Sequence, residues 1–239
     1  MVSKDLQRIN ELYQIGGIKE VYRGIRDRSI IFLGLSENVD YAERRVDNRD
    51  RWDFMKPCFN GIDMAIDIGC AEGYFTRKLA KQGIFSVGID NNAERVEKAL
   101  AASDGQDGCG FMNWELRPDN IGQLPKADVI LLLTVHHHWV RHYGLEDAER
   151  MFQTVMDRAD TVLYEPPGDR ALRDSEKIDP EDSVAFYIDR LKELYGESID
   201  IIEYSMFDYK KDPEDRLANV NTRKDPIFVL NTTSFEKPK

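Results

Sequence analysis

The sequence predicts a doubly wound α/β fold, a mostly parallel seven-stranded sheet with an N-terminal helical extension. Three observations carry this reading. From residue 62 onward, short apolar runs alternate with stretches of helical periodicity. Each step from one such run to the next is long enough to hold a crossover helix, which sets successive strands parallel. The last two apolar runs have no helical pattern between them, so they form an antiparallel pair at one edge.

Residues 1–60 form the extension and residues 61–239 the α/β domain. The extension is polar and rich in arginine, with Arg23, Arg26, Arg28, Arg44, Arg45, Arg49 and Arg51. Within it Leu6, Ile9, Leu12 and Tyr13 fall at helical spacing, which predicts an amphipathic helix over 5–15. Strands follow at 62–68, 85–89, 110–116, 127–135 and 161–164, with helices at 73–82, 92–102, 145–158 and 183–195. The closing pair of strands is expected at 199–204 and 227–231, separated by a charged segment that contains Pro213. In such a sheet ligands bind beyond the carboxyl ends of the strands, so the residues just after each strand carry the function.

Composition narrows the classes. The 239 residues hold 41% hydrophobic side chains, enough for a full core, and 33 basic against 44 acidic groups, a net charge of −11. That balance argues against broad, non-specific affinity for nucleic acid. The longest apolar run, 129–133, is far shorter than the roughly 20 residues that cross a bilayer. Lys4, Asp5, Arg8, Glu11 and Lys19 interrupt the first 20 residues, so no secretory stretch is expected there. Cys58, Cys70 and Cys109 are odd in number and never spaced as CxxC, which fits a reducing cytoplasm rather than a disulfide or cysteine–zinc scaffold.

The sharpest motif runs Asp67-Ile68-Gly69-Cys70-Ala71-Glu72-Gly73, where a buried strand passes through small residues into a helix. Gly69 can adopt a backbone conformation closed to other residues, and Gly73 can let the chain pass close to a ligand. The helix that follows opens with free N–H groups. The next strand ends at Asp90, 17 residues beyond Gly73, where a carboxylate can accept both hydroxyls of a ribose. Nucleoside binding follows; the alternative is a tight structural turn, with Asp90 capping the helix after Asn91. A dinucleotide site would show GxGxxG, and here the spacing is Gly69-x-Ala71-x-Gly73.

With Asp67 two residues ahead of its first glycine, this stretch resembles the first motif of the class I S-adenosylmethionine (SAM) methyltransferases. The likeness extends in order over residues 62–232 and implies a Rossmann-like methyltransferase fold with SAM as cofactor. The departure is Ala71, where that family has its middle glycine. By this resemblance Gly69, Cys70, Ala71 and Gly73 would line the methionine part of SAM, and Asp67 and Thr134 would be further cofactor-binding residues. Asp90 would hold the ribose and Asn91 would lie beside the adenine. Asn113, Trp114 and Glu115 are the candidates to meet the adenine amine, with Glu115 taken for that place.

All four histidines fall within His136-His137-His138-Trp139-Val140-Arg141-His142, immediately after the strongest strand. No carboxylate or cysteine there completes a zinc pattern, so no metal is expected. In a methyltransferase the residues after the fourth strand lie between cofactor and acceptor. His137 or His138 would then be a general base that takes a proton from an attacking hydroxyl. Trp139, Arg49 and Glu165, which ends the fifth strand before Pro166-Pro167, are the expected acceptor contacts. The order Trp139-Val140, Arg150-Met151-Phe152 and Glu165-Pro166 also resembles the bicoid-interacting-protein class of RNA 5′-phosphate methyltransferases, as do Arg49-x-Arg51 and Phe59-Asn60-Gly61. By that likeness arginines near residue 50 would hold the SAM carboxylate or an acceptor phosphate. The expected activity is therefore O-methylation of a small-molecule or sugar-like acceptor, with RNA as the alternative acceptor. A non-catalytic nucleoside- or SAM-binding protein is the rival of another class.

Overall fold

The structure, a computed structural model, describes residues 47–166, 183–196, 199–209 and 223–233. These belong to one compact unit, Tyr41–Lys239. The helix expected over 5–15 and the arginines from Arg23 to Arg45 lie outside the described residues.

Seven strands form one sheet: β1 (Met64–Ile68), β2 (Phe85–Asp90), β3 (Cys109–Asn113), β4 (Ala127–Leu133), β5 (Ala159–Glu165), β6 (Asp200–Tyr209) and β7 (Arg223–Asn231). Their order is β3-β2-β1-β4-β5-β7-β6, with the first five parallel. The last strand in sequence turns back between its two neighbours and pairs antiparallel with both β5 and β6. The described helices are α1 (Asn48–Met55), α2 (Tyr74–Ala80), α3 (Ala93–Ala102), α4 (His136–Tyr143), α5 (Leu145–Met156) and α6 (Ser183–Tyr195).

Strand alternation sorts the core into two layers. One row of paired residues runs Ile66, Ile130, Val162 and Leu230 across the sheet and packs with Met151, Phe152 and Val155 of α5 and Tyr187 and Leu191 of α6. The alternate row, Leu131, Leu163 and Val229, faces the other way and packs with Trp52 and Met55 of α1, Phe59, and Phe75 and Leu79 of α2. Two charged residues sit in register with that second row. Asp67 pairs with Leu131, and Glu165 pairs with Leu133. Both therefore point toward α1 and α2.

The short helix α1 packs into this core although the sequence reading puts it in the extension; its buried residues include Arg51 beside Trp52 and Met55. Helix α4 is also absent from the sequence-based element list. It starts at His136, and β4 ends at Leu133, two residues before its predicted end, because Thr134 takes a left-handed backbone (φ 57°). Gly144 (φ 86°) donates its N–H to the Val140 carbonyl and separates α4 from α5.

Candidate active site

At the carboxyl ends of β1, β2 and β4 the structure holds a cleft of about 260 Å³, near the lower edge of the roughly 300–1,000 Å³ usual for small-molecule sites. Its floor is the turn after β1. Gly69 and Cys70 both donate N–H groups to the Ile89 carbonyl, at 2.7 and 3.1 Å, and tie this turn to the end of β2. Gly69 takes φ 75°, and Val135 fills the space its side chain would need. Ala71 stands at φ 49°, the left-handed region that the family's middle glycine would enter without strain. Its N–H is held there by Asp90 Oδ2 at 3.0 Å.

Asp90 is buried and its carboxylate is fixed from two sides. Oδ2 accepts from Ala71 N and Oδ1 from the N–H of Asn92 at 2.8 Å, while Asn92 caps α3 through Arg95 N. Each oxygen keeps a second lone pair, and Asp90 lines the cleft. This pair of acceptor oxygens fits a ligand that offers a pair of hydroxyls. Asn113 and Trp114 both donate to the Asp90 carbonyl at 3.0 Å, so β3 is pinned to the same strand end. Trp114, Glu115 and Leu116 line the cleft, and Tyr143 of α4 donates to Glu115 Oε1 at 3.2 Å.

Asp67 lines the cleft floor and accepts from Thr76 Oγ1 of α2 at 2.7 Å. Burial raises its carboxyl to about 6. Gly73 does not line the cleft. The side of Gly73 that a Cβ would occupy is filled by the Phe111 ring and the Ala99 methyl. The absence of a side chain at Gly73 thus lets the turn and α2 pack closely against β3 and α3.

The histidines separate. His138 lines the cleft together with Thr134, Val135, Trp139 and His142. Loss of water around its ring, then the nearby cations Arg141, His142 and Arg95, lower its imidazole to about 4. His137 is not among the lining residues; its ring lies against that of His138, with centroids 4.0 Å apart. His136 is fully in the core, stacked on Phe152, with Nδ1 2.8 Å from the Tyr164 hydroxyl. Burial lowers it to about 3. Among the described residues no three His, Cys, Asp or Glu side chains converge to hold a metal ion, and no helix is long and apolar enough to cross a membrane.

The expected acceptor contacts also separate. Trp139 lines the cleft while being largely buried. Arg49 lies on the outer face of α1, its side chain 85% exposed and 3.9 Å from Asp53. Arg51, two residues on, is the arginine that reaches the cleft wall. Its guanidinium pairs with Glu165, donates to Asn48 Oδ1 at 2.9 Å and lies 5.0 Å from the Phe75 ring centroid. Glu165 has no exposed surface, because its place on β5 turns it beneath α1. Asn48, Glu72, Arg95 and Tyr143 line the cleft without having been singled out from sequence. Helix α1 is too short and charge-rich to show a period, and Glu72 falls between the small residues that define the motif.

Comparison with known proteins gives this geometry its class. Residues 66–160 match the family described as methyltransferase domain. Over 104 residues the chain is 30% identical to the O-antigen chain terminator bifunctional methyltransferase/kinase WbdD of Escherichia coli, covering 42% of this chain and 14% of that protein. The structure of WbdD superposes with a TM-score of 0.60 at 20% identity, over 79% of this chain and 40% of that one. The N-methyltransferase NodS of Bradyrhizobium japonicum, solved with S-adenosylhomocysteine, has TM-score 0.57 at 11% identity, over 85% and 96% of the two chains. The magnesium protoporphyrin IX methyltransferase ChlM of Synechocystis, solved with SAM, has TM-score 0.53 at 17% identity, over 86% and 90%. Residues 66–160 therefore match a methyltransferase-domain family, and the chain shares the Rossmann-like fold of solved methyltransferases.

Proposed function

We propose that this chain is a SAM-dependent methyltransferase that acts on an oxygen of a small-molecule or sugar-like acceptor, with His138 as proton acceptor. The observation that carries the reading is the placement of His138 on the cleft wall, with its ring lowered to about 4 and hence unprotonated at neutral pH. A neutral imidazole can accept the proton of an attacking hydroxyl, although a lowered pKa makes it a weaker base than an ordinary histidine. A relative named for O-antigen chain termination supports an acceptor of the sugar type.

SAM, when bound, supplies a methyl group already activated by its sulfonium. The chain's part is to bind, align and exclude water. Asp90 would take the ribose hydroxyls, Asn91 would lie beside the adenine, and Glu115, held by Tyr143, would meet the adenine amine. The backbone of Gly69, Cys70, Ala71 and Thr134 would border the methionine portion, with Asp67 beneath it and Arg51 supplying the positive wall. Trp139 would shield the transfer path from water.

The test is conversion of SAM to S-adenosylhomocysteine with a panel of sugars, nucleosides and amines. Hydroxyl acceptors are expected to be methylated. His138→Ala should then cost roughly 100-fold or more in turnover with SAM affinity kept, the usual range for a lost general base. His137→Ala, outside the cleft, should cost far less. Methylation of amines alone, or full turnover in His138→Ala, would refute the oxygen reading.

A further inference from the structure

We infer that Glu72 is the residue that receives the ammonium group of the cofactor's methionine end, an assignment that rests on the SAM reading. Glu72 is 7% exposed and lines the cleft from the turn between Ala71 and Gly73. Its Oε2 is buried and has no hydrogen-bond partner among the described residues. The guanidinium of Arg77, one turn into α2, donates to the main-chain carbonyl of Glu72. Arg77 thus braces the backbone of the turn through that bond, not through the carboxylate. The two other carboxylates of this turn are engaged within the protein, Asp67 by Thr76 and Asp90 by Ala71 and Asn92.

A carboxylate taken from water without a partner is costly, and a cationic ligand group brought against it removes that cost. SAM carries two positive groups, the sulfonium and the ammonium. A carboxylate set against the sulfonium would stabilise the bound ground state more than the transition state, in which that charge is being lost, and so would slow transfer. The ammonium keeps its charge from substrate to product. A fixed carboxylate there holds SAM and S-adenosylhomocysteine alike and leaves the barrier untouched. That chemistry, together with a position on the glycine turn, points to the ammonium.

The experiment is calorimetric titration of the full chain and of Glu72→Gln with SAM, S-adenosylhomocysteine and 5′-methylthioadenosine, which lacks the amino-acid end. The expected result is that Glu72→Gln binds SAM and S-adenosylhomocysteine about 10- to 100-fold more weakly, by the same factor for both, as for one lost charge-assisted hydrogen bond. Binding of 5′-methylthioadenosine should stay within about twofold by the same reasoning, and it doubles as the check that the variant is folded. Glu72→Asp, which keeps the charge on a shorter arm, should fall between the two. Unchanged affinity for SAM in Glu72→Gln overturns the assignment, as does equal loss for all three ligands. Loss confined to SAM moves the contact to the sulfonium and overturns it too. If the unaltered protein binds neither SAM nor S-adenosylhomocysteine, the cofactor reading falls first and this assignment with it.

Discussion

Replacing Glu165 by Gln should destabilise the protein far more than it disturbs any contact with an acceptor. The Arg51 and Glu165 side chains are 4% and 0% exposed, and Arg51 also donates to Asn48. Glutamine keeps the size and one acceptor oxygen but leaves the guanidinium buried without its counter-charge. Removing one partner of a buried pair costs about 3–5 kcal/mol. For a chain of this size each kcal/mol lowers the melting temperature by about 2–4 °C, so a fall of roughly 6–20 °C is expected. Arg51→Met combined with Glu165→Gln should recover part of that loss, since the double variant no longer buries the guanidinium charge that Glu165 balanced. Recovery will be incomplete by about 0.5–2 kcal/mol, the worth of the guanidinium over the Phe75 ring. The assay is thermal and urea unfolding of the parent, both single variants and the double. A Glu165→Gln variant as stable as its parent but impaired in turnover would refute this reasoning and return Glu165 to the acceptor site.

Other outcomes follow from the same packing. Gly73→Ala must place a methyl at φ 74° against Phe111, adding about 1–2 kcal/mol of left-handed strain to about 1–3 of overpacking, so a clear fall in melting temperature is expected. A variant as stable as the parent would show that the turn does not pack on β3 in this way. Stability against pH carries two opposed signatures. His136, lowered to about 3 in the fold, favours the native state above its ordinary 6.5, and this is lost as pH falls toward 3. Asp67, raised to about 6, favours it below 3.8, and this is lost as pH rises toward 6. Between about pH 4 and 6 the slopes oppose each other, so Asp67→Asn should uncover a loss on acidification of about 1.4 kcal/mol per pH unit from His136, with the lowered His138 adding in the same direction. Urea midpoints across that range check it, and a profile identical to the parent's would contradict the burial of both groups.

The fold was legible in the sequence where the apolar pattern had one cause. The five alternating strands and helix α6 depend on regular burial against a sheet, and their periods show it. Where β7 sits was not legible. The edge-pair reading holds for either order of β6 and β7, and the apolar pattern of the two strands does not separate them. Helix α1 stayed hidden because its buried face contains Arg51, whose charge breaks the hydrophobic period and pairs with Glu165 on a strand 114 residues away. Helix α4 stayed hidden because its buried positions are His136 and Trp139 among polar neighbours. At the site, Asp90 was readable because a strand end at fixed distance from a glycine turn has one geometry. His138 and His137 were not separable from sequence, since only the start of α4, set by Thr134, decides which of them faces the cleft. At Gly73 the motif records only that a side chain is forbidden, not that Phe111 and Ala99 stand where it would go.

Thermal unfolding with SAM, S-adenosylhomocysteine and NAD at about 100 times the expected dissociation constant tests the cofactor claim most directly, since such binding adds roughly 2.7 kcal/mol. At this chain length that is a rise of about 5–10 °C with SAM and with S-adenosylhomocysteine, and none with NAD. A rise with NAD alone, or with none of the three, would contradict a SAM site at the turn between Asp67 and Gly73.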